Sequence, residues 1–384
     1  MQLYVVVFSF YCPEKATLII FKAYKFMKQL SRIVFIINPI SGTGRKDVVE
    51  EAIARHIDRE RYDPAIRYTE YAGHAAEIAH EAALDGVEIV VAVGGDGTIN
   101  EVARSLVHTN TALGIIPCGS GNGLARHLHI PLEPMAAMKV INRGVVHCLD
   151  YARINGEAFF CTCGVGFDAF ISMKFAEAGK RGLATYVEKT LKDGLSYKPE
   201  TYRLTLDGEG GLTEQYEAFL IACANASQYG NNAFIAPHAS MNDGLLDVTI
   251  LQPFNVLETP TIVMQLFSKT LPQNAHVKTF RTKRLRIERE KAGVAHCDGD
   301  PFDTGKVIDV ELIENSFNVV VNENAHSLAQ RSEFENVFFE QFIEPFQAWD
   351  PLSDLKRTSE EIRRKTSGEI RRLNAAVLER LRKL

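Results

Sequence analysis

The chain has 384 residues, 46% of them hydrophobic, and a formal net charge of -5. That length and apolar fraction suffice for two packed domains plus extensions. The mildly acidic balance gives no global electrostatic reason to expect nucleic acid as a partner. The seven cysteines fall into no metal-ligand spacing, and their scattered use suits a reducing cytoplasm.

Residues 1–31 read as an N-terminal extension. The apolar run from Leu3 to Tyr11 is too short to span a bilayer and is cut by Pro13, Glu14 and Lys15. The ordered chain is expected to begin near Arg32, with Met27 as an alternative start.

From Arg32 short β-rich runs alternate with helical patterns. "RIVFII" reads as a strand, Val49, Ile53 and Ile57 mark one helix face, and "AIRYT" reads as a second strand. "HAAEIAHEAAL", "VEIVVAV", "TINEVARSLV" and "TALGIIP" then read as helix, strand, helix and strand. Continuous apolar strands separated by helices imply a parallel sheet covered on both faces, hence an α/β domain over 32–145.

After Cys148 the runs "YARING", "EAFFCTC", "YRLTLDG", "YEAFLIACANA", "LLDVTIL", "RLRIERE", "VIDVELI" and "FNVVVN" are separated by turn residues, with a helix only near 169–193. This spacing implies a β-rich, sandwich-like second domain over 146–322. Cys161 and Cys163, two apart, are expected on one buried strand face. Residues 323–384 form a helical pattern: Phe334, Phe338, Phe342 and Phe346 make an aromatic stripe, expected to pack a homodimer or the first domain. A basic amphipathic segment follows, with ten Lys/Arg against five Asp/Glu from Asp354 to Leu384. It suits an anionic lipid surface or an ordinary packed helix.

Three glycine-containing turns sit where parallel strands end: "NPISGTG" (38–44), "GGDGTIN" (94–100) and "PCGSGNGLA" (117–125). Ligands bind beyond the carboxyl ends of such strands, and glycine lets backbone N–H groups approach a phosphate. The first turn lacks the lysine of a Walker-type loop, and "GGDGTINE" fails the dinucleotide fingerprint G-x-G-x-x-G. Asp96 inside a phosphate-binding turn would repel phosphate unless a cation lies between them. The turn therefore asks for a metal-nucleotide, ATP with Mg²⁺, and for phosphoryl transfer. Downstream, "SMNDGLLDV" (240–248) and "HCDGDPFDTG" (296–305) are acidic turns. Asp298 and Asp300, at i and i+2, can hold a base or a metal on one side of an extended segment.

Taken together, Asn38-Pro39 with Ser41-Gly42, "GGDGTINE", "PCGSGNGLARHLHIP", "NDGLLD" and "DGD" resemble the bacterial diacylglycerol kinase family, whose catalytic domain is shared with sphingosine and ceramide kinases. The resemblance runs from about Arg32 to Asn322 and is specific because "GSGNGLA" follows "GGDGT" by about two dozen residues. It implies a two-domain kinase with nucleotide in the interdomain cleft. The implied nucleotide contacts are Asn38, Pro39, Ser41, Gly42, Thr69, Gly95, Asp96, Gly97, Thr98, Ile99, Asn100, Glu101 and Ser120. The family's "DGE" glutamate is its acid/base. Here the motif is "DGD", one methylene shorter, so either Asp300 or Asp298 could reach the acceptor hydroxyl. A structural Mg²⁺ is implied at Asp243 by carboxylate, and at Ser240 and Leu245 by backbone oxygen.

The expected activity is ATP-dependent phosphorylation of a lipid hydroxyl, with Asp96 organising Mg²⁺ and Asp300 or Asp298 accepting the proton. The lipid is expected at a membrane surface, and the protein to be cytoplasmic and peripherally attached. An NAD kinase, which shares "GGDGT", and a catalytically silent lipid- or nucleotide-binding regulator are the alternatives. The residues do not choose among diacylglycerol, a sphingoid base and other hydroxyl lipids.

Overall fold

The computed structural model describes residues 30–41, 46–178, 197–207 and 211–323. The N-terminal extension, Gly42, the far part of the helix expected over 169–193, and the tail from 324 with its aromatic stripe and basic helix lie outside the described residues.

Four parallel strands begin the fold: β1 (Ser31–Ile37), β2 (Tyr62–Tyr68), β3 (Ile89–Gly94) and β4 (Ala112–Pro117), in the order β2-β1-β3-β4. Every residue of β3 and β4 is buried, which is why both read as unbroken apolar runs. β2 lies at the edge, where Pro64 removes no needed donor from the ladder. The helices are α1 (Lys46–His56), α2 (His74–Leu84), α3 (Asp96–Leu106), α4 (Gly123–His127) and α5 (Pro134–Arg143). α5 has no counterpart in the pattern above. It is started by Glu133, whose carboxylate accepts the N–H groups of Met135 and Ala136, with Pro134 in its first turn, and it stops at Gly144 in the left-handed region.

The second half contains β5 (Val146–Ile154), β6 (Glu157–Phe159), β7 (Thr162–Gly166), α6 (Phe167–Ala178), β8 (Glu200–Leu206), β9 (Thr213–Ala218), β10 (Leu220–Ala224), β11 (Leu246–Leu251), β12 (Val277–Thr282), β13 (Arg284–Arg289), β14 (Gly293–Cys297), β15 (Asp300–Thr304) and β16 (Val307–Val320). One sheet runs β12-β11-β10-β7-β14-β15, all antiparallel. Val165, Ile221 and Val248 from it share a core with Leu204, Ile287 and Val310 of the opposing sheet, so this half is a sandwich. "YEAFLIACANA", one run in the sequence, changes sheets at Phe219: β9 pairs with β8, whereas β10 pairs with β7 and β11. Cys223, Cys163 and Cys297 occupy one rung across β10, β7 and β14, packed in the core of the sandwich, whereas Cys161, one residue before β7, is buried in the core of the first half, so Cys161 and Cys163 do not share one strand face.

"VIDVELI" and "FNVVVN" are a single 14-residue strand, β16, with an irregularity between Ile313 and Phe317. Its far end lies parallel to β4 at Val319 and Leu113, while its first half pairs antiparallel with β13. The two halves therefore share one mixed sheet, β2-β1-β3-β4-β16-β13-β8-β9. That shared sheet sets the carboxyl ends of β1, β3 and β4 relative to the sandwich. Residues 254–274 form a separate compact unit around α7 (Thr259–Phe267).

Candidate functional site

Three of the glycine turns are stitched together by their own polar groups. Asn38, just past β1, donates its backbone N–H to the Val93 carbonyl at 3.1 Å. Its side chain accepts from Ile40 N at 3.0 Å and donates to Thr98 Oγ1 at 3.0 Å. Ser41 Oγ accepts the Gly95 N–H at 3.3 Å, so the first loop is tied to the start of α3. In the third loop Cys118 N–H donates to the Gly94 carbonyl at 2.7 Å, which brings Gly119 against Gly95. A Cβ on Gly119 would lie 2.7 Å from the Gly95 Cα, so the approach requires glycine. Asn122, left-handed at φ 51, closes that loop by bonding both the N–H and the carbonyl of Gly119.

Helix α3 starts at Asp96, earlier than the apolar spacing alone suggests, because first-turn residues need not face the core. Asp96 accepts the N–H groups of Asn122 at 2.8 Å and Gly123 at 2.7 Å, one on each carboxylate oxygen. The negative charge that looked out of place beside a phosphate thus caps the start of α4. Glu101, on the same helix, does the same for α2, accepting from Gly73 N at 3.0 Å and Ala75 N at 3.3 Å. Thr69, buried at the end of β2, begins that loop, and its N–H donates to the Ile37 carbonyl. Ile99 and Asn100 are buried within α3, whereas Pro39 and Ser120 are exposed on their loops. A Cβ on Gly97 would meet nothing within 4 Å, so the first turn of α3 faces open space. The unpaired N–H groups of such a turn attract anions.

From the sandwich, Asn231 N–H donates to the Gly121 carbonyl at 3.1 Å, and Arg126 Nε reaches the same carbonyl at 2.9 Å. The acidic turn between β14 and β15 arrives on this side too, since Arg104 of α3 places Nη2 3.5 Å from Cys297 Sγ. Asp298 stands at φ 50, and its carboxylate accepts three backbone N–H groups: Phe160 at 2.9 Å, Cys161 at 2.8 Å and Thr162 at 3.0 Å. Burial pushes its carboxyl up, and those three donors pull it back down. Asp300 pairs through its backbone with Cys297, but its carboxylate makes no hydrogen bond with the described residues and is open to solvent on one side. Enclosure on the other side raises its carboxyl, opposed by Arg104, with Glu101 and Asp96 adding to the rise. Three of the four carboxylates here serve as loop ties, and the fourth stays available for chemistry.

The second acidic turn lies apart from this crevice. It borders a cavity of about 570 Å³ lined by Asp150, Asn242, Asp243, Lys283 and Glu314, among others. Asp150 accepts from Gly244 N at 3.0 Å and Asn315 N at 2.8 Å. Asp243 pairs with Arg281 through Oδ2 and accepts Leu245 N–H through Oδ1, and Ser240 Oγ donates to Asn242 Oδ1. A cation held by Asp243 and by the backbone oxygens of Ser240 and Leu245 would share the Asp243 carboxylate with the Arg281 guanidinium. No cluster of three or more His, Cys, Asp and Glu suited to a metal occurs among the described residues.

Arg104 and Asn122 belong to this crevice although the motifs did not single them out. Asn122 alone had a local signal, an asparagine among glycines where a left-handed residue suits the turn. Among the described residues no helix is long and apolar enough to cross a membrane.

Comparison with known proteins agrees with this architecture. The family model "Diacylglycerol kinase catalytic domain" matches residues 32–154, and "YegS C-terminal NAD kinase beta sandwich-like domain" matches residues 162–320. A diacylglycerol kinase of Bacillus subtilis is 29% identical over 280 residues, 71% of this chain and 90% of that protein. A protein of Chromohalobacter salexigens named "Probable lipid kinase YegS-like" is 31% identical over 262 residues, 66% of this chain and 82% of its own. Among solved structures, a diacylglycerol kinase from Bacillus anthracis superposes with a TM-score of 0.60 at 21% identity, over 78% of this chain and 99% of that one.

Proposed function

The chain belongs to the diacylglycerol kinase family, and from that premise we propose that it transfers the γ-phosphoryl group of ATP to a lipid hydroxyl, with Asp300 as the general base. The observation that carries this reading is the division of labour among the acids. Asp96, Glu101 and Asp298 spend their carboxylates on backbone N–H groups, while the Asp300 carboxylate makes no hydrogen bond and feels the charges of Arg104, Glu101 and Asp96 on α3.

In this reading the triphosphate lies along the loops 38–41, 94–98 and 118–122, where the open space at Gly97 in the first turn of α3 leaves room for phosphate oxygens. A Mg²⁺ ion accompanying the triphosphate would supply charge neutralisation, and Asp96 would hold it or its waters, since each carboxylate oxygen accepts one backbone N–H and keeps a lone pair. Asp300 takes the proton of the lipid hydroxyl as that oxygen bonds to the γ-phosphorus. The bond from the γ-phosphorus to its bridging oxygen breaks, and ADP leaves. Arg104 balances the carboxylate before transfer and favours its ionised, proton-accepting form. Enclosure works the other way, so the base sits closer to the working pH than a free carboxylate does.

The acceptor is proposed to be diacylglycerol or a sphingoid-type lipid met at a membrane surface by a peripherally bound, cytoplasmic enzyme. The test is transfer from labelled ATP to a panel of diacylglycerol, sphingoid base and phosphatidylglycerol in vesicles, with NAD⁺ included. Labelled lipid from wild type and none from Asp300→Asn is expected. Labelled NAD⁺ with no labelled lipid overturns the lipid assignment, and no transfer at all overturns the enzyme.

A further inference from the structure

Behind the 298–300 turn lies a buried polar chain that the transfer step itself does not use. His296 is 1% exposed and Asp168, in the first turn of α6, is 8% exposed. His296 Nε2 lies 3.0 Å from Asp168 Oδ2, and Tyr229 donates its hydroxyl to that same oxygen at 3.2 Å. Asp168 Oδ1 is fixed by the Ala169 N–H at 2.8 Å. The imidazole's other nitrogen, Nδ1, faces the Gly299 N–H at 3.4 Å. Space for this chain exists because residue 164 of β7 is glycine: a Cβ there would collide with Asp168 Oδ2 and lie 3.1 Å from His296 Nε2.

These contacts determine where the imidazole proton sits. A backbone N–H can only donate, so Nδ1 must accept and carries no hydrogen. Nε2 then holds the proton and donates it to Asp168, the arrangement in which every group of the chain is satisfied. We propose that Asp168 and His296 are positioning residues for Asp300: by fixing the Nε2–H tautomer, Asp168 keeps Nδ1 as an acceptor for the Gly299 N–H. Gly299 stands at φ 89 and Asp298 at φ 50, two left-handed residues in succession that leave the turn in need of anchors. Asp298 anchors one side through the N–H groups of residues 160–162, and His296 anchors the other. Asp300 follows directly, so its direction is set by both.

The assignment rests on the kinase reading for its kinetic arm and on the resting protein for its structural arm. In Asp168→Asn the Ala169 N–H holds the amide oxygen in place, so the amide nitrogen faces His296. The imidazole must then accept at Nε2 and place its proton on Nδ1, where it meets the Gly299 N–H donor to donor. Two further variants divide the ring's contacts. His296→Asn can keep an acceptor near the Nδ1 position, whereas His296→Gln can keep a donor near Nε2 and leaves Gly299 without its partner.

The experiment combines ¹H–¹⁵N spectra of the histidine-labelled full-length protein with lipid-kinase kinetics of the variants, thermal melts verifying that each folds. The His296 ring is assigned by its loss in His296→Gln. Expected are a wild-type proton on Nε2, its transfer to Nδ1 in Asp168→Asn, and a fall in kcat of about 100-fold with KM for ATP unchanged, the scale of a ~1 Å misplacement. His296→Asn should retain more kcat than His296→Gln. A wild-type proton on Nδ1 overturns the assignment whatever the kinetics, and so does His296→Gln matching or exceeding His296→Asn in an active enzyme. A wild type that phosphorylates no lipid, with the Nε2–H tautomer observed, overturns the kinase reading instead.

Discussion

Replacing Gly119 by alanine isolates the contact between the second and third glycine turns. The added Cβ would stand 2.7 Å from the Gly95 Cα and 3.0 Å from Asn122 Oδ1. Non-bonded carbons rest at about 3.5–4.0 Å, so the loops must part by ~1 Å. Gly119 is not among the residues with positive φ, and alanine there incurs no backbone strain, so the effect is steric. Overpacking of this kind costs about 1–3 kcal/mol, and a ~1 Å shift of a positioning loop costs about 100-fold in rate. The reciprocal change supplies the control: a Cβ on Gly95 would lie 3.4 Å from the Gly119 Cα, and Gly95 has φ -86 and ψ -175, which alanine also adopts. Calorimetric unfolding and initial rates of transfer from ATP are the measurements. Gly119→Ala should melt lower and turn over far more slowly than Gly95→Ala. Equal behaviour of the two variants would refute the account of this contact.

The two acids of the 298–300 turn should separate cleanly. Asp300→Asn is expected to abolish turnover with an unchanged melt, while Asp298→Asn, which turns an amide N–H toward backbone donors, should lose about 1–3 kcal/mol of stability; the reverse pattern in paired melts and assays would exchange their roles. His127 is half-buried against Ser227, and enclosure lowers its imidazole to about 4 from an ordinary 6.5, with His129 adding to the fall. The native state holds it neutral, so its contribution is complete above pH 6.5 and is lost as pH falls toward 4, by about 3 kcal/mol. Denaturant unfolding at several pH values should show that loss in wild type and a flatter profile in His127→Gln; parallel profiles would discard it. Since Arg281 already occupies Asp243, the melting temperature should be indifferent to a chelator. A clear drop on chelation would show a cation bound at that turn.

The sequence announced what each strand buries and little of what the strands meet. β3 and β4 were legible because burial on both faces leaves only apolar residues. α2 was legible from its apolar period, whereas α5 went unread although Glu133, Pro134 and Gly144 are ordinary helix start and stop residues. β16 read as two strands because the irregularity after Ile313 breaks its alternation. β14 and β15 were hidden in what looked like one acidic turn, since a tight Asp-Gly connection gives no sign of the pairing around it.

At the site, the glycine turns were visible as a group, but the role of Asp96 depended on residues 122 and 123, and no local rule shows that a carboxylate will cap a helix elsewhere. Asp298 and Asp300 could not be told apart for the same reason: the donors that engage Asp298 lie at residues 160–162. The partnership of Asp168 with His296 spans 128 positions and leaves no trace in either neighbourhood.

The position of β16 in the shared sheet bears on how the protein is made. During synthesis β4 emerges with its outer edge bare, and the strand that covers it, ending at Val320, arrives only after about 200 further residues. At about 5–20 residues per second that interval is roughly 10 to 40 s, during which an apolar sheet edge waits on the ribosome for its neighbour. A message cut short before that strand would yield a nascent chain with all three glycine turns and no completed crevice. Such a fragment is a natural client for chaperones, and the emergence of β16 is the event that permits the two halves of the crevice to meet.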